Sequence, residues 1–205
     1  MGYSAYHYFA LYVYQQYESR AFNRAVAAIQ AGQDKPLERS RSLVGRITIP
    51  RLGISAIMKE GVDAGTLAIA VGHIPSTALP GDAGNVGIAA HRDTFFRNLK
   101  GVRQNDEITL ATLDGAYVYR VFSFEVVNPD QVSVLAPSMH ERTLTMVTCY
   151  PFFYVGHAPK RFIVHARQVS STQISASAQR YDVRSKLPGS SPSAEKPSPV
   201  GALSF

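Results

Sequence analysis

The sequence predicts an all-β fold, a closed or nearly closed β-barrel with short helices and one longer helix in front of it. Three observations carry this prediction. The 205 residues suffice for one domain with tails, and a hydrophobic content of 45% can fill its core. From residue 44 onward, the apolar segments are short and are separated by Gly, Pro and Asp. Helical periodicity is scarce in the same region, and this combination is typical of β-barrels.

Turn residues set the limits of the predicted strands. The first strand stops before Pro50, and the second follows the turn at Gly53. Asp114-Gly115 is a strong hairpin signal between two later strands. The strand candidates are residues 44–49, 54–58, 86–90, 107–113, 117–127, 144–149 and 162–169. Short helical pieces are predicted at residues 66–70 and 94–99.

A helix rich in aromatic residues is predicted over residues 1–31. Residues 2–14 contain no Lys, Arg, Asp or Glu, and the helical pattern continues to Gln30, with Gly32 as its stop. The uncharged stretch is shorter than the about 20 residues that a spanning helix needs, and its tyrosines favour a membrane interface. Two interpretations stay open. The segment is the remnant, or outer end, of a membrane anchor, or it is an amphipathic helix lying on the domain or on a membrane.

Polar segments flank the folded domain, which is predicted to cover residues 44–169. Residues 32–43 have the composition of a linker. Residues 170–205 are rich in Ser, Pro, Ala and Gln, with low apolar density and no periodicity. Such a segment cannot bury enough apolar surface to offset the entropy of ordering, so we expect a disordered tail.

Charge and composition exclude several partners and cofactors. The formal net charge is +6, but Lys and Arg are scattered and do not interleave with aromatic residues, so no nucleic-acid partner is predicted. A basic chain does suit an anionic cell envelope. The single cysteine rules out an intramolecular disulfide and a CxxC metal site, and the six histidines have no metal-ligand spacing. We therefore expect neither a metal nor another cofactor.

Three residues at predicted strand ends have the side chains that acyl transfer needs. Cys149 ends one strand, His91 closes another, and Arg161 precedes a third. Rigid strands can direct such side chains into one groove, where they supply a thiolate, a proton donor and an oxyanion clamp. Asp93 either orients the His91 imidazole or caps the following turn.

Three motifs, which occur in the chain in the order His91, Cys149, Arg161, resemble those of the sortase family of cysteine transpeptidases. TMVTC at residues 145–149 corresponds to the family's Thr-Leu-x-Thr-Cys, with Met146 replacing Leu. The sequence around His91 is GIAAHRDTFF, and the sequence around Arg161 is APKRFIV. The continuation CYPF from Cys149, with a short segment before Arg161, is most similar to class D sortases. The resemblance covers residues 44–169.

The resemblance implies a sortase-type β-barrel of about eight strands and a defined mechanism. Cys149 would attack the Thr carbonyl of an LPxTG-like sorting motif and cleave between Thr and Gly through a thioester. Arg161 would stabilise the oxyanion, and His91 would protonate the leaving amine and later accept a proton from the incoming amine. The implied partners are proteins bearing this sorting signal and an amine acceptor of the cell envelope or of a pilin. The implied location is the bacterial cell membrane, with the catalytic domain facing outside.

Substrate contacts are expected from four further residues, Thr148, Phe152, Tyr154 and His157. Phe152 and Tyr154 follow Cys149 and are expected to form one wall of the groove. His157 lies in the loop before Arg161 and is expected to line the groove. Thr148 either positions the substrate or the oxyanion, or it is an ordinary β-branched residue of the strand.

Two other functions are compatible with the same residues. The first is a cysteine protease that hydrolyses its thioester without transfer, although papain-like enzymes use an Asn or Asp partner where Arg161 stands here. The second is a non-catalytic barrel that binds envelope peptides, with Cys149 as an inert core thiol. Reactivity of the thiol separates the binding protein from both enzymes.

Overall fold

The structure, a computed structural model, describes residues 2–32, 42–138, 141–154 and 156–173, with the side chains of the first helix described from Phe9 onward. These ranges contain nearly all of the predicted folded domain. Residues 33–41 of the predicted linker and residues 174–205 of the predicted tail lie outside them, as does His140.

Eight strands form one closed barrel. The strands are β1 (Leu43–Ile49), β2 (Ile54–Glu60), β3 (Val71–His73), β4 (Gly84–Ala89), β5 (Glu107–Ala111), β6 (Gly115–Val127), β7 (Arg142–Tyr150) and β8 (Lys160–Gln173). The helices are α1 (Gly2–Gln30) and α2 (Ala64–Ile69), with 3-10 turns at Pro50–Leu52, Arg97–Gly101 and Val132–Leu135. Around the barrel the order is β1-β2-β3-β4-β7-β8-β6-β5, and β5 pairs with β1 to close it. The predicted β-barrel with an N-terminal helix is confirmed.

Side chains alternate between the core and the outer face of the barrel along the strands that carry the site. In β7, Leu144 and Met146 are fully buried in the core, so Cys149 points to the outer face. In β8, Phe162 belongs to the same core, so its neighbour Arg161 also points outward. The same periodicity therefore fills the barrel and presents both polar side chains on one outer surface.

The third strand is absent from the sequence-based prediction. Val71–His73 has three residues, which is too short for an alternating pattern to be recognised, and one of them is glycine. It becomes a strand because it pairs in parallel with β2 and antiparallel with β4. The predicted helix at 94–99 also differs, since the backbone there makes turns that lead into the 3-10 helix Arg97–Gly101.

The last strand extends beyond the predicted end of the folded domain. β8 continues to Gln173, where it pairs with Gly115 at the start of β6. Residues 170–173 therefore belong to the barrel, whereas the polar composition of this stretch indicated a tail. Strand β6 supplies the backbone hydrogen bonds to these residues. The segment therefore forms a strand although its Ser, Thr and Gln side chains are polar.

Helix α1 lies against the wall formed by β1 and β2. The Gln15 amide accepts a hydrogen bond from the Ile57 N–H (2.9 Å) and donates one to the Ile69 carbonyl (2.6 Å). The Arg46 guanidinium donates to the Ser19 carbonyl (2.9 Å). These directional contacts fix the orientation of the helix on the barrel. Within the ranges that the structure describes, no helix combines the length and apolar character required to cross a membrane.

A bidentate ion pair between Arg51 and Asp106 joins the turn after β1 to the turn before β5. Asp106 is 7% exposed and also accepts a hydrogen bond from the Arg103 N–H (2.8 Å). The hydrogen bonds from Arg51, followed by the backbone N–H and the attraction of both arginines, hold the pKa of Asp106 below its ordinary value against the effect of burial.

We expect Asp106→Asn to lower the free energy of unfolding by about 1–3 kcal/mol at neutral pH, because Arg51 loses its charged partner. The pKa of Asp106 is lower in the folded state than in the unfolded state. The stabilisation is therefore complete above the unfolded-state pKa of about 4, and it is lost as the pH falls through the lower, folded-state pKa. Denaturant unfolding at neutral and at acidic pH should show that the difference in the free energy of unfolding between wild type and variant is smaller in acid. Glu107→Gln is the control, since its ion pair with Arg120 is exposed on both sides. An equal loss in both variants would contradict the prediction.

Candidate active site

Cys149 and Arg161 face each other across two neighbouring strands. They are direct partners in the antiparallel pairing of β7 and β8, and both point to the outer face of the barrel. Cβ atoms of directly opposed residues lie about 4.5–5.5 Å apart, so the guanidinium stem starts beside the thiol. Cys149 is free and partly exposed. A reagent in solution can therefore reach a thiol that has a fixed cation as its neighbour.

His91 approaches the same position from the other side of β7. Strand β4 runs parallel to β7 with Ala89 opposite Val147, and the Ala90 N–H continues the ladder to the Val147 carbonyl (3.2 Å). His91 and Cys149 are the next equivalent positions along the two strands. Ala90 is buried in the core, so His91 points to the outer face, where it is exposed.

The three residues line one groove of about 370 Å³. The structure thus brings together His91, Cys149 and Arg161, which the sequence predicted as catalytic residues. The rest of the lining comes from the segment after His91 and the loop before Arg161, namely Arg92, Asp93, Gly156, His157 and Ala158. His157 therefore lies in the groove, as expected from the sequence.

Thr148 lies in the interior of the barrel wall, outside the groove lining. Its side chain is 2% exposed, and its hydroxyl donates a hydrogen bond to the Ala90 carbonyl (2.7 Å). This bond joins the residue before Cys149 to the residue before His91. Of the two interpretations left open by the sequence, the contact favours a structural one, in which Thr148 holds the strand end at Cys149 close to the strand end at His91.

The Arg161 guanidinium is oriented by its own loop. Its Nη1 donates to the Ala158 carbonyl (3.2 Å) and to the Lys160 carbonyl (3.0 Å). A guanidinium has five N–H donors in a planar fork, so two bonds to the loop leave others to point at a ligand. The loop thereby holds the donor group in place before any substrate binds.

Arg92 connects the two sides of the groove. Its Nη2 donates hydrogen bonds to the carbonyls of Tyr154 (2.7 Å) and Gly156 (3.1 Å) in the loop between β7 and β8. The sequence alone places Arg92 among the scattered basic residues, and its position next to His91 is the one signal that distinguishes it. Arg92 and Arg161 together donate to four carbonyl groups, those of Tyr154, Gly156, Ala158 and Lys160.

Phe152 and Tyr154 line a second groove of about 460 Å³, whose lining also includes Tyr150, the residue that follows Cys149. Phe152 packs edge-on against Phe162, with ring centroids 5.3 Å apart. Tyr154 contributes its backbone carbonyl to the contact with Arg92 and lines the aromatic groove with its side chain. The sequence predicted that Phe152 and Tyr154 form a wall of the groove at Cys149. In the structure their side chains line this second groove, and the Tyr154 carbonyl is joined to the first groove through Arg92.

The family model for the sortase domain matches residues 47–169. This range is more than half of the chain, and it contains His91, Cys149 and Arg161. The chain belongs to the sortase family. The family predicted from the three motifs is confirmed.

Individual sortases agree with this result. Sortase D of Bacillus subtilis (strain 168) is 32% identical over 126 residues, which are 62% of this chain and 64% of the relative. The solved structure of Clostridium perfringens Sortase D5 transpeptidase is similar with a TM-score of 0.64 at 29% identity, over 74% of this chain and 95% of that chain. The structure of Sortase A from Corynebacterium diphtheriae is similar with a TM-score of 0.60 at 30% identity, over 64% of this chain and 62% of that chain. The match to the Bacillus sortase spans less than two thirds of that protein's length.

Positive charge dominates the groove of this sortase. Two arginines, Arg92 and Arg161, line it, and Asp93 is the one carboxylate in the lining. Among the residues that the structure describes, no three His, Cys, Asp or Glu side chains are grouped so as to hold a metal ion.

Proposed function

We propose that this protein is a cysteine transpeptidase that acts on a sorting motif of the Leu-Pro-x-Thr-Gly type. The observation that carries the proposal is the registration of Cys149 opposite Arg161 on β7 and β8, with His91 at the equivalent position on β4. Three side chains from three strands meet at one open groove, as an acyl-transfer site requires. Family membership supports the same reaction class.

The first half-reaction forms a thioester. Cys149 reacts as a thiolate while His91 holds the proton; the sulfur attacks the Thr carbonyl carbon, and Arg161 donates hydrogen bonds to the oxygen that becomes negative. His91 then gives a proton to the Gly nitrogen, the C–N bond breaks, and the C–S bond remains. The glycine side leaves as a neutral amine.

The second half-reaction transfers the acyl group. An incoming amine attacks the thioester carbonyl and loses a proton to His91, and the Cys149 sulfur leaves as a thiolate. The enzyme is thereby restored to its starting state. We infer that the acceptor is an amine of the cell envelope or of a pilin, and that the enzyme works at the bacterial membrane with its groove outside.

Residues around the groove have separate parts in this mechanism. His157 and the Gly156–Ala158 wall are positioned to contact the substrate chain next to Arg161. Phe152 and Tyr154 are proposed to support the loop from its far side and to bind substrate or acceptor groups in the aromatic groove. Thr148 acts through the Ala90 carbonyl and is a positioning residue.

Hydrolysis without transfer is the second candidate function. His91 is exposed and the groove is open, so water can reach a thioester at Cys149. The partial exposure of Cys149 argues against a buried inert thiol and hence against the non-catalytic barrel.

Mass spectrometry of the purified protein with LPxTG-type peptides, with and without triglycine, tests the proposal. An adduct on Cys149 together with a ligated product that requires triglycine is the expected result. Cleaved peptide without any ligated product, across a panel of amines, would favour the protease. An unreactive thiol and no adduct with any motif variant would overturn both enzyme functions.

Loss of Arg92 is expected to change the balance between transfer and hydrolysis. In Arg92→Gln the loop carbonyls lose their charged donor, so the loop is held less tightly over the groove and water enters more easily. We expect kcat/KM to fall about 10-fold and the ratio of hydrolysed to ligated product to rise several-fold. Arg97→Gln, an exposed charge on the following turn, is the control and should keep the wild-type ratio. A wild-type ratio in Arg92→Gln would contradict this role.

A further inference from the structure

The segment that follows β8, outside the described residues, contains a sequence close to the sorting motif of the proposed function. Leu187-Pro188-Gly189-Ser190-Ser191 has Leu, Pro and a variable residue at its first three positions, as the Leu-Pro-x-Thr-Gly type does. Ser190 stands in the place of Thr and keeps its hydroxyl, whereas Ser191 stands in the place of Gly. The other Leu-Pro-Gly sequence, at residues 79–81, is followed by Asp82 and lies in the folded loop before β4.

The chain is long enough to bring this segment to the groove of its own molecule. Arg161 in the groove and Gln173 pair with opposite ends of β6, and they are twelve residues apart along β8, at most about 40 Å. Ser190 follows Gln173 by seventeen residues, which span at most about 60 Å when extended. The segment can therefore return along the outside of the barrel and reach Arg161.

An apolar floor beside the thiol suits the first two residues of the segment. Val147 on β7 points to the same outer face as Cys149, because the residues between and before them are buried in the barrel wall. Ala89 lies opposite Val147 on β4, and both side chains are half-buried. These small side chains leave room for Leu187 and Pro188, which would cover them and be removed from water.

Polar groups of the groove suit the rest of the segment. The Arg161 guanidinium has N–H donors beyond those used by its loop, and a backbone carbonyl at Ser190 can accept from them. Residues 187–194 carry no charge, so no acidic group or further cation of this stretch has to be desolvated in the groove.

We propose that residues 187–191 bind in the groove of the same molecule as a resident ligand, which an external sorting signal has to displace. This inference rests on the proposed function, because that function supplies the motif. The methyl group of Thr is missing at Ser190, which weakens binding about 10-fold or more. The tether offsets this loss, since it holds the segment at an effective concentration on the order of mM.

Two features of the segment oppose its cleavage. Ser191 has a Cβ where the motif has glycine, at the residue whose nitrogen would leave. Pro192 follows and restricts the backbone of Ser191 to extended conformations. The segment therefore occupies the groove without being consumed, and it lowers the activity toward other substrates only by competition.

Kinetics of the full chain test this ligand. In Leu187→Ala/Pro188→Ala, the KM for an LPxTG-type peptide should fall about 3-fold or more while kcat keeps its wild-type value, because saturating peptide displaces the segment. Pro199→Ala/Leu203→Ala removes the same residue types outside the motif and is the matched control, with the wild-type KM. Equal KM values in all three proteins would overturn the proposal.

The rate of Cys149 alkylation by iodoacetamide is a second readout, which needs no turnover. The bound segment should shield the thiol, so alkylation should be about 3-fold faster in Leu187→Ala/Pro188→Ala than in the wild type and the control. Faster alkylation in this variant without turnover of any peptide would support the resident ligand and refute the proposed function. Peptide turnover with equal alkylation rates in all three proteins would refute the resident ligand alone.

Dilution and mass spectrometry identify the occupant. The difference in alkylation rate should persist over a dilution of about 100-fold, because the effective concentration of a tethered segment does not change. A difference that disappears on dilution would assign the site to a second copy and overturn binding within one molecule. The wild type incubated alone should keep its full mass. Loss of residues 191–205 would show that the segment is a substrate and would overturn its role as a resident ligand.

Discussion

Cys149→Ala is expected to abolish both the thioester adduct and the ligated product, with a loss of about 10³-fold or more in turnover. The rest of the groove lining consists of His, Arg, Asp, Gly and Ala, so the variant has no second thiol or hydroxyl there to replace the sulfur. The same substitution should change the free energy of unfolding by less than about 1 kcal/mol. Cys149 lies on the outer face, partly exposed, and its removal opens no cavity in the core.

The two measurements for Cys149→Ala are made on one preparation. Mass spectrometry with peptide and triglycine gives the adduct and the product, and denaturant unfolding gives the stability. Alkylation of the wild-type thiol with iodoacetamide is the companion experiment, and it should proceed and inactivate the protein. Full activity in the alanine variant would refute the mechanism. A loss of several kcal/mol in stability would instead indicate a structural thiol.

Arg161→Lys is expected to lower kcat/KM by about 10²–10³-fold, although the charge is kept. The Arg161 Nη1 donates to the Ala158 and Lys160 carbonyls, which leaves the other N–H groups of the guanidinium for a ligand in the groove that Cys149 also lines. A lysine has a single ammonium group at the end of a flexible chain and cannot make the loop contacts and the oxyanion contact together. The loss should appear in the rates of both thioester formation and acyl transfer to the amine, because each step passes through a tetrahedral oxyanion that is absent from the ground state.

Lys160→Gln is the matched control for Arg161→Lys. Lys160 is the preceding residue and carries the same charge, but it points to Asn128 with an exposed hydrogen bond (2.6 Å). Its replacement should change the rate by less than about 3-fold, as expected for an exposed charge. Single-turnover measurements of adduct formation compare the two variants directly. Near-normal adduct formation in Arg161→Lys would remove Arg161 from the mechanism.

Much of the site could be predicted because the ends of strands can be recognised from local sequence patterns. The apolar runs that end at Ala90 and before Cys149 predict where each strand stops. A single cysteine, a histidine and an arginine at such ends form a small set of candidates for acyl transfer. His157 could be placed near them since it lies only four residues before Arg161.

Other features depend on contacts between distant residues and leave no local trace. The hydrogen bonds of Thr148 to Ala90 and of Arg92 to Tyr154 join residues 58 and 62 positions apart. Phe152 was expected to line the groove at Cys149 because it follows Cys149 closely, whereas the contact of its ring with Phe162 could not be read from the sequence. Positions along the chain show which residues are neighbours in sequence, but they do not predict the conformation of a loop.

The sequence by itself determined that the protein is a β-barrel and a member of the sortase family, and it predicted Cys149, His91 and Arg161 as the reactive residues. The reason is that the alternation of apolar and polar residues, the turn residues and the motifs are local features, each of which depends on a few consecutive positions. Only the tertiary structure decided which strands are neighbours. The parallel pairing of β4 with β7 brings His91 to Cys149, and the closing of the ring sets the wall bearing α1 opposite the groove. These arrangements follow from hydrogen bonds and burial shared by the whole barrel, which no single segment contains.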